Sequence, residues 1–134
     1  MAITSAICNS FKVEILTATH NFTASSGNTF NLALYTSSAT LNKSTTAYTT
    51  SDEVATATGY TAKGKALTSV TPVLSTDTAV CDFDNVSWTS ASFTSRGCLI
   101  FNDSASSDQS VCSIDFGGDK TVTSGTFTIE FPAA

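Results

Sequence analysis

The sequence predicts a mainly β protein: an antiparallel β-sandwich, or a jelly-roll-like barrel, with one N-terminal α-helix. Two features of the chain lead to this class. From Phe30 onward, short apolar runs alternate with polar residues at a period of two, separated by turns bearing Gly, Pro, Asn or Asp. In addition, 24 threonines and 20 serines fill about a third of the 134 residues. Threonine is β-branched, so it suits the strand backbone, and its hydroxyl faces water without adding charge. The length fits a single domain over 1–134.

The helix is expected within 3–17. Ile3, Ile7, Phe11 and Ile15 recur four residues apart, flanked by Ala6 and Leu16, while Lys12 and Glu14 fall off that stripe. Thr4 or Ser5 would cap its start. A polar connector, Asn21 to Asn28, follows. The first strand is expected over 29–36, half-buried, with Phe30, Leu32 and Leu34 alternating against Asn31, Ala33 and Tyr35. Residues 37–63 show no clear period. Leu41, Tyr48, Val54 and Tyr60 stand there as isolated anchors among Ser, Thr and Ala. So long an irregular stretch is rarely idle in a compact domain, which predicts an arm, or a loop packed by its tyrosines.

Antiparallel strands should fill 64–132. Lys65 to Val70 and Pro72 to Leu74 read as two strands or one broken strand, with Pro72 at an edge or junction. Ala79, Cys81 and Phe83 alternate with Asp82 and Asp84. A slip at Asn85 suggests a bulge before Val86 and Trp88. Phe93 to Phe101 is apolar on both faces at Cys98-Leu99-Ile100-Phe101, so it should run through the middle of the body. Asn102 to Gln109 turns into its partner, Val111 to Phe116. Gly117-Gly118-Asp119-Lys120 should break the run before Phe127, Ile129 and Phe131 form the last strand.

Composition excludes several function classes. Charged residues are only 13% of the chain, and six Lys+Arg against eleven Asp+Glu leave a net charge of -5. No basic surface is left to neutralise a phosphate backbone, so nucleic acid is not an expected partner. No apolar run reaches the length of a membrane span. The start, Met1 to Cys8, lacks the basic residues of a Sec signal, and Asn9-Ser10 interrupts it. His20 is the single histidine, so no nucleophile–base pair assembles and no enzyme is expected. It should sit at the helix end, helping to satisfy carbonyls there. Asp82 and Asp84 share a strand face and, with Asp115 or Asp119, form the best oxygen cluster. Solvation explains them better than calcium.

No C-x-x-C pair points to zinc, and Gly117 to Lys120 lacks the spacing of a nucleotide loop. No cofactor, metal or small-molecule substrate is therefore expected. Cys81 and Cys112 should be buried and reduced. A Cys98–Cys112 bridge stays open, provided a hairpin brings their Cα atoms within about 7 Å. Trp88 reads as core. Tyr48 and Tyr60, in a polar segment, are the better candidates for an exposed contact.

Several blocks follow one another in a recognisable order. They include Phe11-Lys12-Val13-Glu14-Ile15-Leu16, His20-Asn21-Phe22, Thr29 to Thr36, Ala47 to Val54 and Gly59 to Lys65. Val86-Ser87-Trp88-Thr89, Arg96 to Asn102 and Ser124 to Ile129 complete the series. Over nearly the whole chain this resembles small β-rich virion structural proteins of tailed bacteriophages. The resemblance implies no catalytic residues. It implies a capsid decoration, or cement, protein on the outer face of the major capsid protein lattice, with a tail, fibre or adhesion component as the alternative. A free carbohydrate- or surface-binding β-module is a further alternative. A virion protein is made in the host cytoplasm and released by lysis, so it needs no signal peptide. Thr19 stands where the family usually has Gly before the histidine.

Assembly expectations follow from the residues as well. Few charges guard the sheet edges, and a cement protein that matches the local symmetry of its lattice repeats each contact. A homotrimer at three-fold positions is expected, with Leu41, Tyr48, Tyr60, Ile3 and Ile7 as candidate protein contacts.

Overall fold

Six consecutive residues, Phe30–Tyr35, are all buried, and this strand (β2) runs along the middle of the core. The computed structural model describes residues 2–57 and 59–133. Among them the chain is mainly β, with antiparallel pairing between its strands and one short N-terminal helix.

The order in the sequence is β1 (Ala6–Ile7), α1 (Asn9–Leu16), β2, β3 (Lys65–Ala66), β4 (Ser69–Ser75), β5 (Thr78–Phe83), β6 (Val86–Asn102) and β7 (Ser110–Ile129). Five strands form one sheet in the order β1-β7-β6-β2-β3, and β4-β5 forms a separate two-stranded sheet. Cys98 to Phe101 is buried on both faces, as its unbroken apolar run requires. It pairs with Leu34 to Asn31 of β2 on one side. On the other side, Cys98 to Ile100 pair with Ile114 to Cys112 of β7.

Both faces of β2 are covered, so the expected half-buried pattern is corrected. Phe30, Leu32 and Leu34 join Cys98, Ile100, Val86, Trp88 and Phe127 in the larger cluster. Ala33 and Tyr35 join Ile3, Ala39, Leu41, Leu99 and Phe101 on the opposite face. One curved sheet supplies most of the larger cluster, because the β6–β7 hairpin bends. Ser95 pairs with Lys120 and Gly97 with Asp115, so two steps on β6 oppose five on β7. Phe116 to Asp119 swing out as a wide bulge, with Gly117 at φ 76°. The expected break at Gly117 to Lys120 is thus a bend inside one strand. Gly97 lies at the narrowest point, where a Cβ would fall 2.5 Å from the Ile114 carbonyl oxygen.

The N-terminal helix is shorter than the stripe suggested. Ile3 bridges to Leu41, Ala6–Ile7 pair with Ser113 and Cys112, and the Cys8 N–H donates to the Val111 carbonyl. Those backbone groups belong to the sheet, so the helix begins only at Asn9, and neither Thr4 nor Ser5 caps it. It ends where Ala18 turns left-handed (φ 59°) and the Thr17 and Thr19 N–H groups both return to the Glu14 carbonyl. The left-handed residue is Ala18, and Thr19 carries no such strain.

Asn85 lies in the turn between β5 and β6 rather than in a bulge, and its Oδ1 accepts the Phe131 N–H. The pairing irregularity of the small hairpin falls at Pro72, between Val70 and Val73.

Candidate functional site

The segment 37–63 is not a free arm. Ala39, Leu41 and Tyr48 cover one face of β2 and β6, while Val54 and Tyr60 reach the other. Between them the chain crosses the edge of β2. The Thr36 N–H donates to the Asp52 carbonyl, the Val54 N–H to the Leu34 carbonyl, and the Leu34 N–H to the Tyr60 hydroxyl. Edge groups that would otherwise invite another strand are satisfied from within the chain.

Glu53 ties this segment together. Its Oε1 accepts from the Tyr60 hydroxyl at 2.7 Å and the Lys63 N–H at 2.8 Å, and its Oε2 accepts from the Tyr48 hydroxyl at 2.5 Å. Burial and donation to this carboxylate push the Tyr48 hydroxyl up to about 12, and raise Tyr60 further still. Lys63 Nζ donates to Asp103 Oδ1 and lies 2.8 Å from Asp108 Oδ2, which together raise its pKa. It also lies 5.7 Å from the centre of the Tyr48 ring. The group is a clasp between the long segment and the β6–β7 turn, and its members are engaged with one another.

His20 has the same character. Its ring is buried 4.9 Å from Phe11 and 6.2 Å from Phe30. Nδ1 faces the Asn102 amide nitrogen at 3.1 Å and Nε2 faces Glu14 Oε2 at 2.7 Å. It joins the helix to the sheet and does not cap the helix carbonyls. Asp82 Oδ1 accepts its neighbour's N–H from Phe83. Among the described residues no three His, Cys, Asp or Glu side chains are grouped to hold a metal ion, and no helix is long and apolar enough to cross a membrane.

The surface left over is apolar. Among the described residues seven large apolar side chains are exposed: Ile7, Val13, Ile15, Leu16, Val70, Val73 and Leu74. All seven lie in β1, α1 or the hairpin β4–β5. Between these elements runs a groove of about 440 Å³, floored by Ile100, Val111 and Cys112 and walled by Ile7, Phe11 and Phe83. A second apolar groove, about 700 Å³, follows β7 past Phe116, Val122, Phe127 and Phe131. Beyond Asp115 this strand has no neighbour on its outer side among the described residues, since β1 reaches only Cys112 and Ser113. A long open strand edge beside an apolar groove is a template for association.

The chain matches no family model, and no curated protein or solved structure is significantly similar to it.

Of the five expected contact residues, only Ile7 is on the exposed surface. Ile3, Leu41 and Tyr60 are buried, and Tyr48 is half-buried, stacked 4.8 Å from Phe101. All four are spent on the chain's own core. The expected burial of Cys81 is corrected as well. Cys81 is exposed on the groove wall, Cys112 is half-buried in its floor, and all four thiols are free. Cys98 and Cys112 are not bridged. They sit on neighbouring strands out of direct register, with Cys98 opposite Ile114.

The hairpin β4–β5 was the signal missed in the sequence. Val70, Val73 and Leu74 have the apolar, strand-forming character of covered residues, but no layer covers them.

Proposed function

We propose that the protein is a structural component of a tailed-bacteriophage virion, a cement protein that binds the outer face of the major capsid protein lattice as a trimer at three-fold positions. The observation that carries this reading is the pairing of exposed apolar surface with an open β edge. Seven large apolar side chains and the outer edge of β7 face outward in a chain with few charges to shield them. Meanwhile the polar clusters around Glu53 and His20 are engaged internally. Such a surface suits permanent protein contacts, where many weak contacts are repeated by symmetry. The resemblance of the sequence to phage virion proteins supplies the setting. The groove along β7 offers apolar rings and an unpaired backbone to a coat subunit, which would add a strand or fill the groove.

The test is a reconstruction of the virion that contains this protein. Density for the chain on the shell at three-fold positions is expected. Density confined to the tail would overturn the cement reading in favour of a tail or fibre component.

A further inference from the structure

Two of the four thiols face one another across the groove beside α1. Cys112 opposes Ile100 of β6 on one side and Ile7 of β1 on the other, so the three share one face of the sheet, and all three line the groove. Cys81 lies two residues before Phe83 in β5, so it shares that residue's face of the hairpin, and both line the same groove from the hairpin side. Phe83 fixes which way this face looks. Its ring lies 6.2 Å from that of Phe22 and 5.9 Å from that of Phe30, over the sheet. Every other side chain lining the groove is a hydrocarbon, so the two thiols are its only reactive groups. The remaining thiols are turned elsewhere. Cys8 follows Ile7 and leaves by the opposite face, its Sγ 3.9 Å from the Asn42 carbonyl. Cys98 is fully buried opposite Ile114, diagonal to Cys112. Diagonal neighbours in a sheet lie about 7–8 Å apart, a disulfide needs Cβ atoms at about 3.5–4.5 Å, and neither paired strand is free to close that gap.

We propose that Cys81 and Cys112 form a disulfide that straps the hairpin β4–β5 down over the groove when the protein meets a disulfide oxidant. The hairpin has the freedom to travel. It is held by Phe83 at its base and by Thr71, whose Oγ1 accepts the Ala24 N–H, while Val73 and Leu74 beyond them are 56% and 74% exposed. A tilt about these two holds carries β5 toward the floor without breaking any pairing of the five-stranded sheet, and it takes apolar groove walls out of water. The order of the chemistry follows exposure. The exposed Cys81 thiolate attacks one sulfur of a small disulfide such as oxidised glutathione, forms a mixed disulfide and expels the other glutathione, which takes up a proton. Cys112 then gives up its proton and attacks the Cys81 sulfur. The Cys81–Cys112 bond forms, the bond to glutathione breaks, and the second glutathione leaves as a thiol. Two protein thiols are oxidised and one glutathione disulfide is reduced to two thiols. Burial, with ionised Cys8 and Cys81 adding to it, holds the Cys112 thiol up at about 12, so the second step is the slow one. The strap stands on this geometry and is independent of the virion reading.

Peptide mapping of the native full chain tests the strap, after treatment with excess oxidised glutathione and blocking of the remaining thiols. Cleavage before aspartate, at Asp77, Asp82, Asp84, Asp103, Asp108 and Asp115, puts Cys81, Cys98 and Cys112 in three different peptides. The Cys81 and Cys112 peptides are expected to be joined, in a monomer lighter by two hydrogens. A glutathione adduct on Cys81 should appear first and decay as the bridge forms. In Cys112→Ser that adduct should persist, and in Cys81→Ser no bridge should form and Cys112 should stay free. Closing a loop across the sheet should also raise the urea midpoint of the wild type, and a reductant should return it to its starting value. A bridge between Cys98 and Cys112 would overturn the proposal. So would a disulfide-linked dimer through Cys81, a wild-type adduct on Cys81 that never resolves, four thiols left free, or a Cys81–Cys112 bridge that forms only in urea.

Discussion

The segment 37–63 and the hairpin β4–β5 have exchanged the roles their sequences suggest. The first is polar, irregular and without a period, yet it is fixed to both faces of the central sheet. The second is a regular antiparallel pair rich in valine, yet most of it is exposed. The difference lies in where backbone and apolar groups find partners. The long segment gives Val54 and Tyr60 to the core and satisfies the β2 edge at Leu34. The hairpin satisfies mainly its own backbone; beyond itself, Thr71 Oγ1 accepts the Ala24 N–H. Regular secondary structure therefore says little about integration into a core, and irregular chain can be the most tightly held.

The largest expected effect is on the pinned side of this comparison. Glu53→Ala leaves the Tyr48 and Tyr60 hydroxyls and the Lys63 N–H without their shared acceptor. Tyr60 is buried, and a buried group so orphaned costs about 1–3 kcal/mol, while half-buried Tyr48 and the Lys63 N–H can turn to water, so a loss of about 2 kcal/mol is expected in urea unfolding. A loss below about 1 kcal/mol would show that the clasp does not hold the segment, and would return residues 37–63 to the status of an arm.

Much of the fold was legible because period and burial agree where a strand has neighbours on every side. Cys98 to Phe101 is such a case; Phe30 to Tyr35 keeps the strand period but is buried on both faces, and Trp88 is buried against Tyr60 and Phe127. The errors have physical causes. Ile3 and Ile7 keep helical spacing with Phe11, but their backbone groups pair with Leu41 and with β7, and pairing overrides spacing. Gly117-Gly118 reads as a chain break, whereas here it permits a bend within a strand. The contact surface was least legible of all. A valine facing solvent in β4 has the same sequence signature as one facing a core, and only the absence of a covering layer distinguishes them. Tyr60 failed in the opposite direction, since its partner Glu53 is identifiable only once the segment is folded.

A second effect is a dependence of stability on pH. Burial raises the hydroxyls of Tyr35, Tyr48 and Tyr60, and pushes the Cys112 thiol up to about 12 with Cys98 also raised. The folded chain therefore keeps protons that the unfolded chain releases. The sign is negative: stability is fully present below the unfolded thiol range, near pH 8.5, and falls as pH rises through it. A steeper fall begins near pH 10, where unfolded tyrosine ionises, at up to about 1.4 kcal/mol per pH unit for each group. Urea unfolding at pH 7, 9 and 10.5 measures this slope. Tyr48→Phe should flatten the part above pH 10; an unchanged slope would place that hydroxyl in water rather than in the clasp.

The smallest expected effect is on the hairpin, and its smallness carries the meaning. Leu74→Thr replaces an exposed apolar side chain near the tip by a β-branched polar one that suits a strand. In dilute protein, with copies apart, the change in unfolding free energy should stay within about 0.5 kcal/mol, as at other surface sites. The hairpin contributes no covered layer at that position, so nothing there is lost from the core. Thiol reactivity of the same native protein should follow the same division. Cys81 on the exposed groove wall reacts first, Cys112 in the floor more slowly, and fully buried Cys98 only when the central sheet opens. A destabilisation of about 2 kcal/mol or more from Leu74→Thr, together with protection of Cys81, would mean that the hairpin lies down over its own groove. Leu74 would then be packed against its own chain, and the contrast between the two regions would disappear.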